Sequence, residues 1–256
     1  MTVMIISTTY KNQSISFDLS AGIDISTPLT SGAKSPKCFW APDVSIQPVT
    51  TESFIGDIDQ GGVVNFKNIM LNPHGNGTHT ECVGHITTGD FTIHKTLKKF
   101  HAIARLTTVK PAIHNGDSVI TEQSFEPGFF DENQEEILIV RTTPNAYNKL
   151  STDYSGTNPT YFDHKVIEKI NNSGVQHLIT DLPSVDKEID GGLLLAHKAF
   201  WYYEGILCPD KTITELVYVP NSVEDGIYFI NMQIISLESD ASPSKIVLYK
   251  PLDHNV

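Results

Sequence analysis

The sequence is short of cysteine and of basic residues. Its 256 residues include three cysteines, Cys38, Cys82 and Cys208, an odd and widely spaced set that argues against a disulfide framework and fits a reducing compartment. Lys and Arg total 18 against 30 Asp and Glu, which gives a formal charge of −12, and no basic cluster is longer than Lys98-Lys99. Such a surface argues against nucleic acid and anionic membranes as partners.

Long apolar runs are missing as well. No run approaches the roughly 20 apolar residues of a membrane helix, and the first ten residues lack the basic start and apolar stretch of a signal peptide. We therefore expect a cytoplasmic protein with no membrane partner. Because 39% of the residues are hydrophobic and 19% are charged, the chain can build a sizeable core, and we expect one domain over residues 1–256.

Strand patterns dominate the sequence, and no internal repeat is visible. Runs rich in β-branched and aromatic residues predict strands at residues 3–9, 14–19, 63–71, 102–109, 136–142, 177–180, 213–219, 227–236 and 246–249. Helical spacing of apolar residues predicts helices at 162–172 and 192–203. Residues 20–50 are rich in Pro, Gly and Ser and predict a long ordered loop. These elements indicate a mixed α/β domain with a largely β core.

The segment from His74 to His85 concentrates side chains that bind metals or transfer protons. In an extended segment, residues two apart share a face, so His79 and Glu81 can point at one metal ion. His74 is five residues before His79, so in a regular strand its side chain would point to the opposite face. The glycines between them allow a bulge or turn that brings His74 to the same face. Imidazole and carboxylate ligands suit zinc, manganese or iron better than calcium or magnesium. The alternative is a solvated or capping loop.

Residues 77–85, Gly-Thr-His-Thr-Glu-Cys-Val-Gly-His, resemble the signature His-x-Gly-Thr-His-x-Asp-x-Pro-x-His of the kynurenine formamidase/cyclase family. Four later segments resemble further blocks of that family in the same order: residues 180–186, 195–198, 214–216 and 240–245. The resemblance covers nearly the whole chain. It implies a strand-rich, mixed α/β swivelling β/β/α domain that forms a homodimer or homotetramer.

The resemblance also implies a set of site residues. The ligands of one or two divalent metal ions, zinc or manganese, would be His74, His79, Glu81, His197 and Glu215. His85 would be the catalytic acid/base, and Trp40 would wall the substrate pocket. Glu204 is an alternative ligand to Glu215, and Asp181 is expected at a turn, in contact with a ligand histidine.

Three positions depart from the family signature. Gly75 stands where the first histidine is expected, so His74 is the nearest substitute. Glu81 replaces an aspartate and adds one methylene to a ligand, which could alter metal spacing or preference. Val83 replaces a proline on the approach to His85, which could change the substrate.

Together these features predict an enzyme that hydrolyses a small amide with metal-activated water and a histidine acid/base. The resemblance favours N-formylkynurenine, and hence tryptophan catabolism, or a related formamide or cyclic amide. Two alternatives remain: a metal-binding protein without hydrolytic activity, for which a closed four-ligand site would be typical, and a true cyclase of a small carbonyl compound.

Overall fold

Strands outnumber helices in the computed structural model, which describes residues 3–131 and 134–252 of the domain predicted at 1–256. The strands of the described residues are, in chain order, β1 (Ile5–Tyr10), β2 (Gln13–Asp18), β3 (Ile23–Asp24), β4 (Ser45–Pro48), β5 (Lys67–Met70), β6 (His79–Cys82), β7 (His101–Val109), β8 (Ala112–His114), β9 (Asp117–Ile120), β10 (Ile137–Thr142), β11 (Tyr161–Phe162), β12 (His177–Thr180), β13 (Tyr202–Tyr203), β14 (Ile206–Leu207), β15 (Thr212–Glu215), β16 (Gly226–Ile234) and β17 (Ala241–Tyr249). The α-helices are α1 (Ile93–Thr96), α2 (His164–Asn172) and α3 (Leu195–Trp201). Across both described ranges, no helix is long and apolar enough to cross a membrane.

Seven of these strands close into a barrel. Their order is β16-β7-β10-β12-β15-β6-β17, and β17 pairs with β16 to complete the ring. The strands β7, β10, β12 and β15 run parallel to their neighbours in that series, whereas β6, β16 and β17 join by antiparallel pairing. The predicted strand-rich, mixed α/β fold is confirmed.

Side chains of the barrel strands alternate between two apolar clusters. In β10, Ile137 and Ile139 pack in the barrel interior, whereas Leu138 and Val140 pack outside it against α2 and α3. α2 begins after Asp163, whose side chain accepts the backbone N–H of Lys165. The helices therefore cover one outer face of the barrel, and a polar group on that face lies between strand and helix.

Two elements are shorter than their apolar patterns predict. The strand predicted at 213–219 stops at Glu215 because Leu216 adopts a φ of 55°, which turns the chain out of the sheet. The helix predicted at 192–203 is confined to α3, since Leu194 before it has a φ of 49° and residues after Trp201 form β13. Residues 20–50 form the predicted loop, interrupted by β3 and β4.

Candidate metal centre

β6 and β15 together present three ligand-type side chains on one face. Their antiparallel register pairs Glu215 with His79 and places Glu81 two residues along the same strand. Because alternate residues share a face, all three project from the outer face, while the hydroxyls of Thr80 and Thr214 bond to each other at 2.7 Å on the opposite face. His79, Glu81 and Glu215 are all buried. The strands thus assemble one imidazole and two carboxylates beneath α3.

His79 has a ring nitrogen without a partner. Its Nδ1 lies 3.1 Å from the carbonyl oxygen of Gly77, which can only accept, so Nδ1 carries the hydrogen and Nε2 keeps a lone pair. Among the residues that the structure describes, buried Nε2 has no hydrogen-bond partner, and Glu215 Oε2 lies 3.4 Å from it. An unpaired buried polar atom is costly unless something binds it.

The donor set around that nitrogen fits a divalent metal ion. Ligand atoms of His79, Glu81 and Glu215 all lie within 4.8 Å of one another. Imidazole nitrogen and carboxylate oxygen are ligands that zinc and manganese accept. Ligand atoms of a second group, His74, Glu81 and His85, also lie within 4.8 Å of one another, and this group shares Glu81 with the first. Glu81 is therefore the residue common to both candidate metal positions.

His74 reaches the site from the loop before β6. Its Nδ1 lies 2.9 Å from Glu81 Oε2, and its Nε2 lies 2.7 Å from Asp240 Oδ2. A Cβ atom at Gly75 would lie 2.2 Å from the Cβ of Ala41, so position 75 cannot carry a histidine while the neighbouring loop keeps this path. The close approach of the two loops explains why the imidazole comes from position 74.

α3 supplies His197, which is oriented by an aspartate. His197 Nε2 lies 3.1 Å from Glu81 Oε1, and its Nδ1 lies 2.6 Å from Asp186 Oδ2. Asp186 Oδ1 also accepts the backbone N–H of Ala196 at 2.7 Å. One carboxylate thus caps the start of α3 and fixes the histidine ring, an arrangement that typically orients a metal-ligating imidazole.

His85 lies at the open side of the centre, in a 3-10 turn at Val83–His85. Its Nδ1 lies 3.5 Å from Asp240 Oδ2 and 3.9 Å from Glu81 Oε2. The His85 side chain is 30% exposed, against 1% for Glu81. Gly84 permits this turn, because a Cβ atom there would lie 2.3 Å from the carbonyl oxygen of Phe91.

A cavity of about 180 Å³ opens beside these side chains. His74, Glu81, His85 and His197 contribute to its wall, and Phe39 lines it from the loop at residues 20–50. Phe39 and its neighbour Trp40 both have positive φ angles, 52° and 53°. Trp40 is 66% exposed and does not line this cavity in the described chain.

The sequence matches a known family over most of the chain. Residues 17–187 match the model of the Cyclase family, described as putative cyclase, which is more than half of the 256 residues. The chain belongs to the cyclase family. Among proteins of curated function, none is significantly similar in sequence.

Solved structures share the fold of this cyclase-family chain at low identity. A predicted metal-dependent hydrolase from Bacillus stearothermophilus is 16% identical with a TM-score of 0.62, and the match covers 90% of this chain and 98% of that one. Isatin hydrolase A from Labrenzia aggregata is 12% identical with a TM-score of 0.60, over 90% and 93%. An isatin hydrolase bound to the product analogue thioisatinate is 13% identical with a TM-score of 0.59, over 90% and 92%.

In this cyclase-family site, charges of opposite sign are closely paired. Burial opposes ionisation of Glu81, but the charge of His85 and hydrogen bonds from His197 and His74 hold its pKa well below the ordinary value. Burial also opposes the charged form of His197 and so would lower its pKa. Its hydrogen bonds to Asp186 and Glu81 outweigh burial and raise the pKa of His197 to about 10. Protons on imidazoles therefore balance the carboxylates. A divalent cation can take the place of these protons, so metal binding should release protons, and metal affinity should weaken as the pH falls.

The structure brings together the predicted ligands and His85, but not Trp40 or the alternative ligand Glu204, which is exposed and belongs to neither candidate metal group. His74, His79, Glu81, His85, His197 and Glu215 all belong to the groups described above. The expected contact between Asp181 and a ligand histidine was wrong. Asp181 instead binds the Thr142 hydroxyl at 3.0 Å and the Lys149 ammonium at 2.7 Å.

Two acidic residues of the centre were missed from the sequence, Asp186 and Asp240. Both lie inside segments that resemble family blocks, residues 180–186 and 240–245. Their place in those segments was the sequence signal that could have identified them as site residues. Their contacts depend on packing with other elements: Asp186 with α3, and Asp240 with the loop of His74 and with the turn of His85.

We expect Asp186→Asn to lower metal affinity about 10- to 100-fold, because the amide cannot hold His197 as the carboxylate does. Equilibrium dialysis against zinc measures this change. Asp163→Asn is a matched control, since Asp163 also caps a helix, α2, and should alter stability without altering affinity. Unchanged zinc affinity in Asp186→Asn would refute the orienting role of Asp186.

Proposed function

We propose that the protein is a metal-dependent hydrolase of small amides, of the aryl formamide or cyclic amide class. The unpartnered Nε2 of buried His79, facing the Glu215 carboxylate, is the observation that carries the metal site. Structural metal sites are closed by four protein ligands, whereas catalytic sites leave a position for water and substrate. The cavity against Glu81, His85 and His197 provides that opening and favours the enzyme over a purely structural metal protein.

The proposed ligands of one or two metal ions are His79, Glu81 and Glu215 together with His74 and His197, whose ring nitrogens lie against the two oxygens of Glu81. These residues would hold a zinc or manganese ion, whose chemistry would be to lower the pKa of water and to polarise a carbonyl group. The protein holds these ligands rigidly: the backbone N–H of Val185 donates to Glu215 Oε1 at 2.9 Å, and Asp186 fixes His197. Such support keeps the ligand geometry fixed during turnover.

His85 is the proposed acid/base. It lines the cavity, is partly exposed and lies beside Glu81 without being enclosed by it. In hydrolysis the oxygen of water bonds to the carbonyl carbon, the C–N bond breaks, and the nitrogen leaves with a proton. His85 is placed to accept the proton of the attacking water and to deliver it to that nitrogen.

The size of the cavity and the structural relatives support the proposed substrate class. A volume of about 180 Å³ is below the range of about 300–1,000 Å³ of pockets for drug-sized ligands, so the site suits a small ring or a formyl group. Isatin, named in two of the structural relatives, is a cyclic amide. N-Formylkynurenine is the substrate that the family resemblance implies, and both carry the amide on an aryl ring.

Turnover of a substrate panel tests this function. Zinc- or manganese-loaded protein is incubated with N-formylkynurenine, formanilide and isatin, and products are identified by mass. We expect metal-dependent hydrolysis of at least one aryl formamide or cyclic amide, lost on chelation. Metal-loaded protein that hydrolyses none of them would contradict the proposal, and ring closure of an open-chain amide acid would identify a cyclase instead.

We also propose that the protein forms a homodimer or homotetramer through the arm around β4 and β5. Within the part of the chain that the structure describes, these strands form a two-stranded sheet apart from the barrel. The arm exposes Val63, Phe66, Ile69 and Met70 by 86%, 58%, 65% and 60%. Several exposed large apolar side chains on one arm support an interaction surface there.

Light scattering tests the role of this arm. We expect an oligomer for the wild-type protein and a smaller species for the double variant Phe66→Asp, Ile69→Asp. The variant Ile113→Asp, with an apolar residue that is 76% exposed on β8, is the control and should keep the wild-type mass. A monomeric wild-type protein would refute the proposal.

A cytoplasmic location is part of the same proposal. All three cysteines, Cys38, Cys82 and Cys208, are free thiols. Free thiols persist in a reducing compartment, which supports the location expected from composition. Recovery of the tagged native protein in the soluble cytoplasmic fraction is the expected result, and recovery in a membrane or secreted fraction would reject it.

A further inference from the structure

Asp240 is an acidic residue placed at the rim of the centre by the barrel itself. It immediately precedes β17, in which Ala241 pairs with Glu81 of β6. Its carbonyl oxygen accepts the backbone N–H of Cys82 at 2.9 Å. This register fixes the Asp240 backbone next to the strand that carries Glu81, so the position of its carboxylate is set by the sheet.

One oxygen of Asp240 faces two histidines. Oδ2 lies 2.7 Å from His74 Nε2 and 3.5 Å from His85 Nδ1, and the two imidazole rings are 4.2 Å apart at their centroids. The other oxygen, Oδ1, accepts the hydroxyl of Ser239 at 3.1 Å. Both carboxylate oxygens are thus engaged, and the carboxylate is held in one orientation.

The surroundings of His85 Nδ1 select one tautomer. Among the described residues, the carboxylates of Asp240 at 3.5 Å and Glu81 at 3.9 Å lie beside Nδ1, and ionised carboxylates only accept hydrogen bonds. Their negative charge favours a hydrogen on Nδ1 over a lone pair there. In a neutral imidazole the lone pair is then on Nε2.

We propose that Asp240 is the positioning residue of the acid/base: it holds His85 as the Nδ1–H tautomer and leaves Nε2 for proton transfer. The inference rests on the proposed hydrolase function. During turnover Nε2 accepts a proton from the attacking water and gives it to the leaving nitrogen, while Asp240 keeps its charge throughout. A carboxylate that orients a catalytic imidazole in this way is a recurring arrangement in enzymes.

Asp240 suits this task better than Glu81. Glu81 Oε2 is engaged by His74 at 2.9 Å, Glu81 Oε1 is engaged by His197 at 3.1 Å, and Glu81 belongs to both candidate metal groups. Asp240 is nearer to His85 and belongs to neither group. It therefore remains available to His85 when Glu81 binds a cation.

The kinetic test uses zinc-loaded Asp240→Asn. At saturating zinc, which offsets any weakening of metal affinity through His74, we expect kcat to fall about 10- to 100-fold with KM unchanged, a part of the 10²–10⁴ that general acid/base catalysis contributes. Asp240→Glu should recover part of the loss. Glu238→Gln, which removes a charge two residues away where Glu238 accepts the Thr92 hydroxyl at 2.8 Å, should leave kcat unchanged. Unchanged kcat in zinc-saturated Asp240→Asn, or a variant that binds no zinc even at saturating concentration, would overturn the inference.

A measurement independent of activity separates this inference from the proposed function. Nitrogen-15 NMR of labelled histidine, with His85 assigned by mutation, reports which ring nitrogen carries the hydrogen in the zinc-loaded protein. We expect Nδ1–H in the wild type and a mixture in Asp240→Asn. An Nε2–H tautomer in the wild type would overturn the inference. If the wild type hydrolyses no amide, the proposed function fails, and the spectrum still decides whether Asp240 orients His85.

Discussion

Glu81→Gln should remove bound metal and lower amide hydrolysis about a thousandfold or more. Glu81 is the one residue shared by both candidate metal groups, and its oxygens lie 3.1 Å from His197 Nε2 and 2.9 Å from His74 Nδ1. The neutral amide of glutamine cannot supply the negative charge of the Glu81 carboxylate. The several kcal/mol of charge stabilisation that a bound cation provides correspond to about three powers of ten in rate. Elemental analysis and steady-state kinetics measure the two losses.

A second buried glutamate provides the control for this substitution. Glu135 accepts a hydrogen bond from Arg105 Nε at 2.6 Å and lies outside the metal groups. Glu135→Gln should therefore lower the free energy of unfolding and leave metal content and kcat as in the wild type. Full metal content in Glu81→Gln would contradict the assignment of Glu81 as the shared ligand.

His85→Ala should lower kcat about 10²- to 10⁴-fold while the metal stays bound. His79, Glu81 and Glu215 remain complete in this variant, so their affinity for the cation should persist. Metal content and kcat are measured on the same preparation. His101→Ala changes a histidine that bonds to Asn231, outside the site, and should behave as the wild type.

Equal loss of metal and activity in His85→Ala would assign His85 a different role. Ligand atoms of His74, Glu81 and His85 lie within 4.8 Å of one another, so such a result would make His85 a ligand of that group. Unchanged kcat would exclude it as acid/base. The three outcomes are distinct because metal content and turnover are separate measurements.

Local patterns predicted much of this fold and part of the site. Period-two alternation placed His79 and Glu81 on one face of an extended segment, and β6 has that geometry. The β1–β2 hairpin, β12 and α2 likewise follow from apolar spacing and turn residues within a few positions. In each case the deciding interactions lie within the element itself.

The remaining features depend on contacts between distant segments. Glu215 opposes His79 only through the register of β15 on β6, which no local pattern encodes. The steric conflict of Gly75 with Ala41 decides that the histidine comes from position 74. Phe39 rather than Trp40 lines the cavity, and both residues have positive φ angles, which propensities do not predict for non-glycine residues.

Anomalous X-ray scattering from crystals of the zinc- or manganese-loaded protein tests the central claim most directly. We predict a peak at the absorption edge of the metal, within bonding distance of His79 Nε2, Glu81 and Glu215. The absence of a peak there at saturating metal, with His79 Nε2 still unbound, would contradict the metal centre and with it the proposed hydrolase.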